Sequence, residues 1–134
     1  MIKNQMNKAY LQINLIFFVF ISLIFVYSVV FAATGIYPLK SACKDFPELC
    51  ISKGLSRAFS QILSGNYEKA LQLNIYSLKV FTFFVLQWLF RLIFGFFYFK
   101  FQQKQIIQID IFISLLIFIY AFAPFFAKIY NALC

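Results

Sequence analysis

Hydrophobic residues are concentrated in three long stretches of the chain. Residues 15–33 form an uncharged apolar run, which at about 1.5 Å per residue reaches roughly 28 Å, close to the hydrocarbon thickness of a bilayer. Residues 78–99 form a second stretch that Arg91 interrupts, and residues 111–127 form a third. These lengths predict three transmembrane helices in a single membrane domain that covers residues 1–134.

A more polar stretch with a different pattern lies between the first two spans. Leu55, Phe59, Ile62 and Leu63 follow the i, i+4, i+7, i+8 spacing that places apolar side chains on one face of a helix. This pattern predicts an amphipathic helix over residues 54–64, which lies on the membrane or re-enters it.

The residues that follow predict a tight turn and a second helix. Gly65 suits a left-handed C-cap, Asn66 suits an N-cap, and Glu68 would place a negative charge in the first turn of the next helix. The fold class is therefore an all-α integral membrane protein with three transmembrane helices and an amphipathic helix-turn-helix between the first and second. We expect residues 100–108 to form the turn between the second and third spans, and Pro124 to kink or end the third.

Composition supports a membrane protein and excludes other classes. The chain is 63% hydrophobic and 12% charged, whereas soluble domains carry about 25% charge. Its net charge of +8 would orient the helices and hold anionic lipid headgroups. Because most aromatic residues fall within the apolar runs, we expect no nucleic-acid partner. The first run also fits a secretory signal peptide, although such peptides usually have a shorter apolar core of about 7–15 residues.

Arg91 interrupts the second span near its middle, and two interpretations stay open. The span could be shifted or tilted so that the guanidinium reaches an interface. Alternatively, Arg91 faces protein and pairs with an acid of a partner or with a lipid phosphate. Asp110 is the nearby acid on the same chain, and a pair between the two is a hypothesis.

A patterned motif occupies residues 43–74. It runs Cys50-Ile51-Ser52-Lys53-Gly54-Leu55-Ser56-Arg57-Ala58-Phe59 and continues through Leu63-Ser64-Gly65-Asn66 to Asn74. The segment resembles an uncharacterised family of small bacterial membrane proteins, a domain of unknown function whose signature is C-P-x-C-G-x-T-R-A, a Gly-Asp/Asn turn and Asn-Pro. The matching positions are Cys50, Gly54, Ser56, Arg57, Ala58, Gly65, Asn66 and Asn74. The resemblance implies a multi-pass protein of the bacterial inner membrane.

The chain departs from that signature at Ile51, Lys53 and Ile75, and Lys53 replaces the second cysteine. Because the chain has no histidine, we expect no metal site and no cofactor. Cys43 and Cys50 either form a disulfide that closes a small loop or remain thiols.

Ser56 and Arg57 are the strongest binding candidates, together with Arg91. A hydroxyl and a guanidinium near a helix N-terminus suit a phosphate or a carboxylate. The alternative is structural, with Arg57 among lipid headgroups and Ser56 capping the helix.

These residues favour a binding role over catalysis, since neither a general base nor an activated nucleophile is evident. The leading hypothesis is an accessory or scaffolding subunit that docks a membrane-protein partner through the Gly-x-Ser-Arg-Ala-Phe helix. The partners expected are the lipid bilayer and either such a membrane protein or further copies of the chain in a homo-oligomer. The first alternative is a pore-forming or holin-like oligomer. The second is lipid or anion binding at Arg57.

Overall fold

The computed structural model describes residues 2–35, 53–101 and 103–133. Within these ranges the chain forms five helices and no strand, as the sequence predicts. The helices are α1 (Ile2–Thr34), α2 (Leu55–Leu63), α3 (Tyr67–Leu73), α4 (Ser77–Phe101) and α5 (Lys104–Leu133).

Three of the helices in the described ranges are long and apolar enough to cross a membrane. The candidate spans are Lys8–Thr34, Ser77–Phe101 and Lys104–Ala127. Large apolar side chains on them are exposed, such as Ile16 at 66% and Phe112 at 63%, which suits contact with lipid because helices satisfy their own backbone groups. The chain is therefore a multi-pass membrane protein.

The helices of the second and third spans extend beyond the sequence-based boundaries. The prediction of a turn over residues 100–108 is wrong, because α4 continues to Phe101 and α5 begins at Lys104. Residues 104–109 contain neither Gly nor Pro, so nothing in them breaks a helix. Asp110 therefore lies inside α5. The helix also continues through Pro124, so of the two predicted effects the end of the helix is wrong and the kink stays a prediction. Transmembrane helices tolerate proline where neighbouring groups compensate for the missing hydrogen bond.

The chain divides into two compact units. One comprises Met1–Ile24 and Phe83–Tyr120, and the other comprises Phe25–Thr82 and Ala121–Cys134. We describe each by itself, and the expectation of a single membrane domain stays a prediction.

In the first unit, aromatic and small residues pack α1 against α4. The indole of Trp88 stacks on Phe18 with ring centroids 5.4 Å apart, and its Nε1 donates a hydrogen bond of 2.9 Å to Ser22 Oγ. Gly95 lets α1 approach α4 closely, because a Cβ there would lie 2.5 Å from Asn14 Nδ2.

In the second unit, α2 and α3 form a hairpin around Gly65. The backbone φ of Gly65 is +79°, its N–H donates to the carbonyl of Ile62, and the N–H of Asn66 donates to that of Gln61. These two bonds form a Schellman motif, which confirms the predicted left-handed C-cap. The buried face of α2 consists of Ala58, Phe59, Ser60 and Ile62.

Candidate functional site

Arg91 and Asp110 form a buried ion pair in the first unit. Arg91 Nη2 donates a hydrogen bond to Asp110 Oδ1, and the two side chains are 10% and 2% exposed. The same nitrogen donates to Ser114 Oγ at 2.8 Å, and Gln87 Oε1 lies 3.4 Å from that hydroxyl. A lone charge is costly within a membrane, and here each group lies against the opposite charge.

Two residues of α1 complete this polar network. Tyr10 donates its hydroxyl proton to Asp110 Oδ2 at 2.7 Å, and Asn14 Nδ2 donates to the backbone carbonyl of Arg91 at 2.7 Å. The network therefore ties α1, α4 and α5 to one another. Sequence analysis missed both residues because they precede the apolar run, although their i, i+4 spacing places them on one helix face.

This geometry shows what the side chain of Arg91 contacts. The side chain is buried and paired within the chain, whereas the snorkelling interpretation concerns depth in the bilayer and stays a prediction. Arg91 faces protein, but its acid comes from the same chain, so the argument for an acid on a partner is lost. Two buried atoms of the network, Asn14 Oδ1 and Arg91 Nε, have no hydrogen-bond partner, which reduces what the network contributes to stability.

At the start of α2, the backbone of Gly54 lies close to the backbone of Leu73. Gly54 occupies the N-cap position with a φ of +81° and no side-chain cap hydrogen bond. A Cβ on Gly54 would lie 2.7 Å from the carbonyl oxygen of Leu73, so this position requires glycine on two grounds. Ser56 lies inside the helix, and the interpretation of Ser56 as its cap is wrong.

The rest of α2 is fixed from its buried side. Ser60, 1% exposed, donates its hydroxyl proton to the carbonyl of Ser28 on α1 at 2.9 Å. Phe59 packs edge-on against Phe81 with ring centroids 5.3 Å apart. Ala58 is fully buried, whereas Ser56 and Arg57 are exposed. The exposed face of α2 therefore carries a hydroxyl and a guanidinium, and the buried face of the helix holds it in place.

The two asparagines of the motif play different structural roles. Asn66 is the N-cap residue of α3 but makes no side-chain cap hydrogen bond, and its amide donates to Gln61 Oε1 instead. The prediction that Asn66 is the N-cap residue is confirmed, and its side chain bonds Gln61 rather than the backbone of α3. Asn74 Nδ2 donates to the carbonyl of Lys53 at 3.1 Å, and its Oδ1 accepts from the N–H of Tyr76 at 2.9 Å. Asn74 thus joins Lys53, two residues before α2, to Tyr76, the residue before α4.

The cysteine predictions fall outside the described residues. Cys43 and Cys50 belong to residues 36–52, which the structure does not describe, so the disulfide and the first part of the motif stay predictions.

No protein-family model matches the chain, and neither a curated protein nor a solved structure is significantly similar to it. The resemblance to the bacterial domain of unknown function therefore stays a prediction.

Proposed function

We propose that this chain is a non-catalytic accessory or scaffolding subunit of a membrane assembly, and that α2 docks a membrane-protein partner through Ser56 and Arg57. The observation that carries the proposal is the buried anchoring of α2, above all the hydrogen bond from Ser60 to Ser28. A helix of nine residues is too short to be stable in isolation. Its tertiary contacts hold the exposed pair in one orientation, as a recognition site requires.

The depth of α2 suits a partner that is also in the membrane. Ser28 lies six residues before the end of α1 at Thr34, which corresponds to about 9 Å along the helix. An acidic side chain of a partner at this depth is poorly hydrated, so its pairing with Arg57 is stronger than in bulk water. The planar guanidinium also favours a carboxylate geometrically, since it can donate two parallel hydrogen bonds.

A pore-forming role has less support. A pore needs polar side chains that face a water-filled lumen. Among the described residues of the first unit, Arg91, Asp110 and Ser114 instead direct their polar atoms at one another. The resemblance supports the bacterial inner membrane as the location of the proposed assembly.

Photo-crosslinking in the native membrane tests the proposal. A photoreactive amino acid replaces Ser56, and the control carries it at Leu116, which is 51% exposed on α5. We expect one defined protein adduct from position 56 that is absent from position 116. We also expect Arg57→Ala to remove that adduct, whereas Lys104→Ala, a change at another exposed cation, leaves it. Adducts with lipid or with a second copy alone, unaffected by Arg57→Ala, would overturn the proposal.

A further inference from the structure

Three exposed lysines belong to segments that meet at Asn74. Lys53 is joined to Asn74 through its own carbonyl at 3.1 Å. Lys69 precedes Ala70, whose carbonyl accepts hydrogen bonds from the Asn74 N–H at 3.0 Å and from the Ser77 hydroxyl at 3.2 Å. Lys79 follows Ser77 by two residues and is exposed, like Lys53 and Lys69. We call Lys53, Lys69 and Lys79 the lysine cluster.

The cluster lies where the second span begins. Lys79 is the third residue of α4, whose candidate span is Ser77–Phe101. At about 1.5 Å per residue these 25 residues exceed the hydrocarbon thickness, so the first turn lies at the headgroup level. Ser77 is fully buried and Asn74 is 8% exposed. The backbone beneath the lysines is therefore fixed, and the three lysine residues are exposed.

The segments that meet at Asn74 carry a net positive charge. Among their described residues, Glu68 is the acid beside Lys69, and Arg57 is a further exposed cation near Lys53. Ammonium groups are compact charges with three donors each, and such groups near the membrane surface attract anionic lipids. Phosphate oxygens of headgroups are the acceptors present at this level.

We propose that the lysine cluster binds the phosphate groups of anionic phospholipids in the leaflet where α1 ends and α4 begins. Arg57, to which the proposed protein docking is assigned, lies four residues after Lys53 and is unchanged in every variant that tests the cluster. Each lysine contributes about fivefold to the preference for an anionic over a zwitterionic lipid.

The test uses the purified full-length chain in mild detergent with equal amounts of phosphatidylglycerol and phosphatidylcholine. Native mass spectrometry measures the ratio of the two lipids that stay bound. The test variant is the triple change Lys53→Gln, Lys69→Gln and Lys79→Gln. The control variant, Lys8→Gln, Lys100→Gln and Lys104→Gln, removes three exposed lysines at the start of the first span, the end of the second and the start of the third. A third variant replaces the cluster with arginines.

We expect phosphatidylglycerol to be enriched on the native chain, the control and the arginine variant. The glutamine variant of the cluster loses about a hundredfold of that enrichment, the product of three fivefold contributions, while its helical circular dichroism is unchanged. An equal loss in the control would show nonspecific electrostatics and overturn the site. Displacement of the lipid by glycerol phosphate would assign the site to a soluble phosphate and would also overturn the proposal. A native chain without phosphatidylglycerol enrichment would overturn it as well.

Discussion

The sharpest test of the fold removes one partner of the buried ion pair. Asp110→Ala leaves the guanidinium of Arg91, which is 10% exposed, without its counter-charge. It also removes the acceptor of the Tyr10 hydroxyl. Loss of one partner of a buried pair costs about 3–5 kcal/mol. We expect the free energy of unfolding to fall by that amount, because Ser114 supplies a dipole but no charge.

A double change separates the pair from general damage to the helix interface. Replacing Arg91 and Asp110 together by leucine removes both charges, and apolar replacements of buried pairs are often close to neutral. We therefore expect the double variant to be more stable than Asp110→Ala. We also expect the double variant to lose less free energy of unfolding than the two single leucine variants lose in sum, by roughly 2 kcal/mol or more.

The chain carries a reporter for this measurement. Trp88 is its single tryptophan and bonds Ser22 in the same unit as the ion pair. Its fluorescence during denaturation by sodium dodecyl sulfate in mixed micelles gives the unfolding free energy. Lys104→Ala, at an exposed position, serves as the control. Single variants that each cost less than about 1 kcal/mol, with additive effects, would refute the pairing as a stabilising unit.

Three further substitutions probe close contacts, each in the same unfolding assay. Gly54→Ala should destabilise more than Gly65→Ala, because both have positive φ but only Gly54 meets a backbone carbonyl at 2.7 Å. Left-handed backbone costs each alanine about 1–2 kcal/mol, and equal losses would contradict the close approach. Gly95→Ala should lower the free energy of unfolding by about 1–3 kcal/mol, because the new methyl group displaces the amide of Asn14. Adding Asn14→Ala to this variant should lower it little further. Fully additive effects of the two changes would argue against the clash. Ser60→Ala should cost about 1 kcal/mol for its buried hydrogen bond to α1, and an unchanged stability would mean that this bond does not anchor α2.

The elements that sequence analysis predicted well are those set by local chemistry. The amphipathic spacing of four apolar residues predicted residues 54–64, and α2 occupies Leu55–Leu63. Gly65 adopts the left-handed conformation that its position after an amphipathic run indicates. The three spans follow from apolar length alone, since a bilayer demands about twenty such residues whatever their order.

The contacts between helices could not be predicted in this way. A helical pattern indicates which residues share a face but not which helix that face meets. Asn14 and Tyr10 precede the first apolar run, where polar residues ordinarily meet headgroups, yet both bond partners on other helices. Asp110 looked like the boundary of a span, but the helix begins six residues earlier, which brings its carboxylate within reach of Arg91.

The contacts of the second unit also determine which variants can test the proposed docking role. Gly54 and Gly65 adopt left-handed backbone conformations that favour glycine, and Ala58 is fully buried. Changes at these positions would disturb α2 itself, so a loss of partner binding would report misfolding. Ser56 and Arg57 are exposed, and changing them leaves the buried face of the helix intact. Partner loss caused by Arg57→Ala at unchanged unfolding free energy would therefore identify recognition, whereas loss caused by Ala58 variants would not.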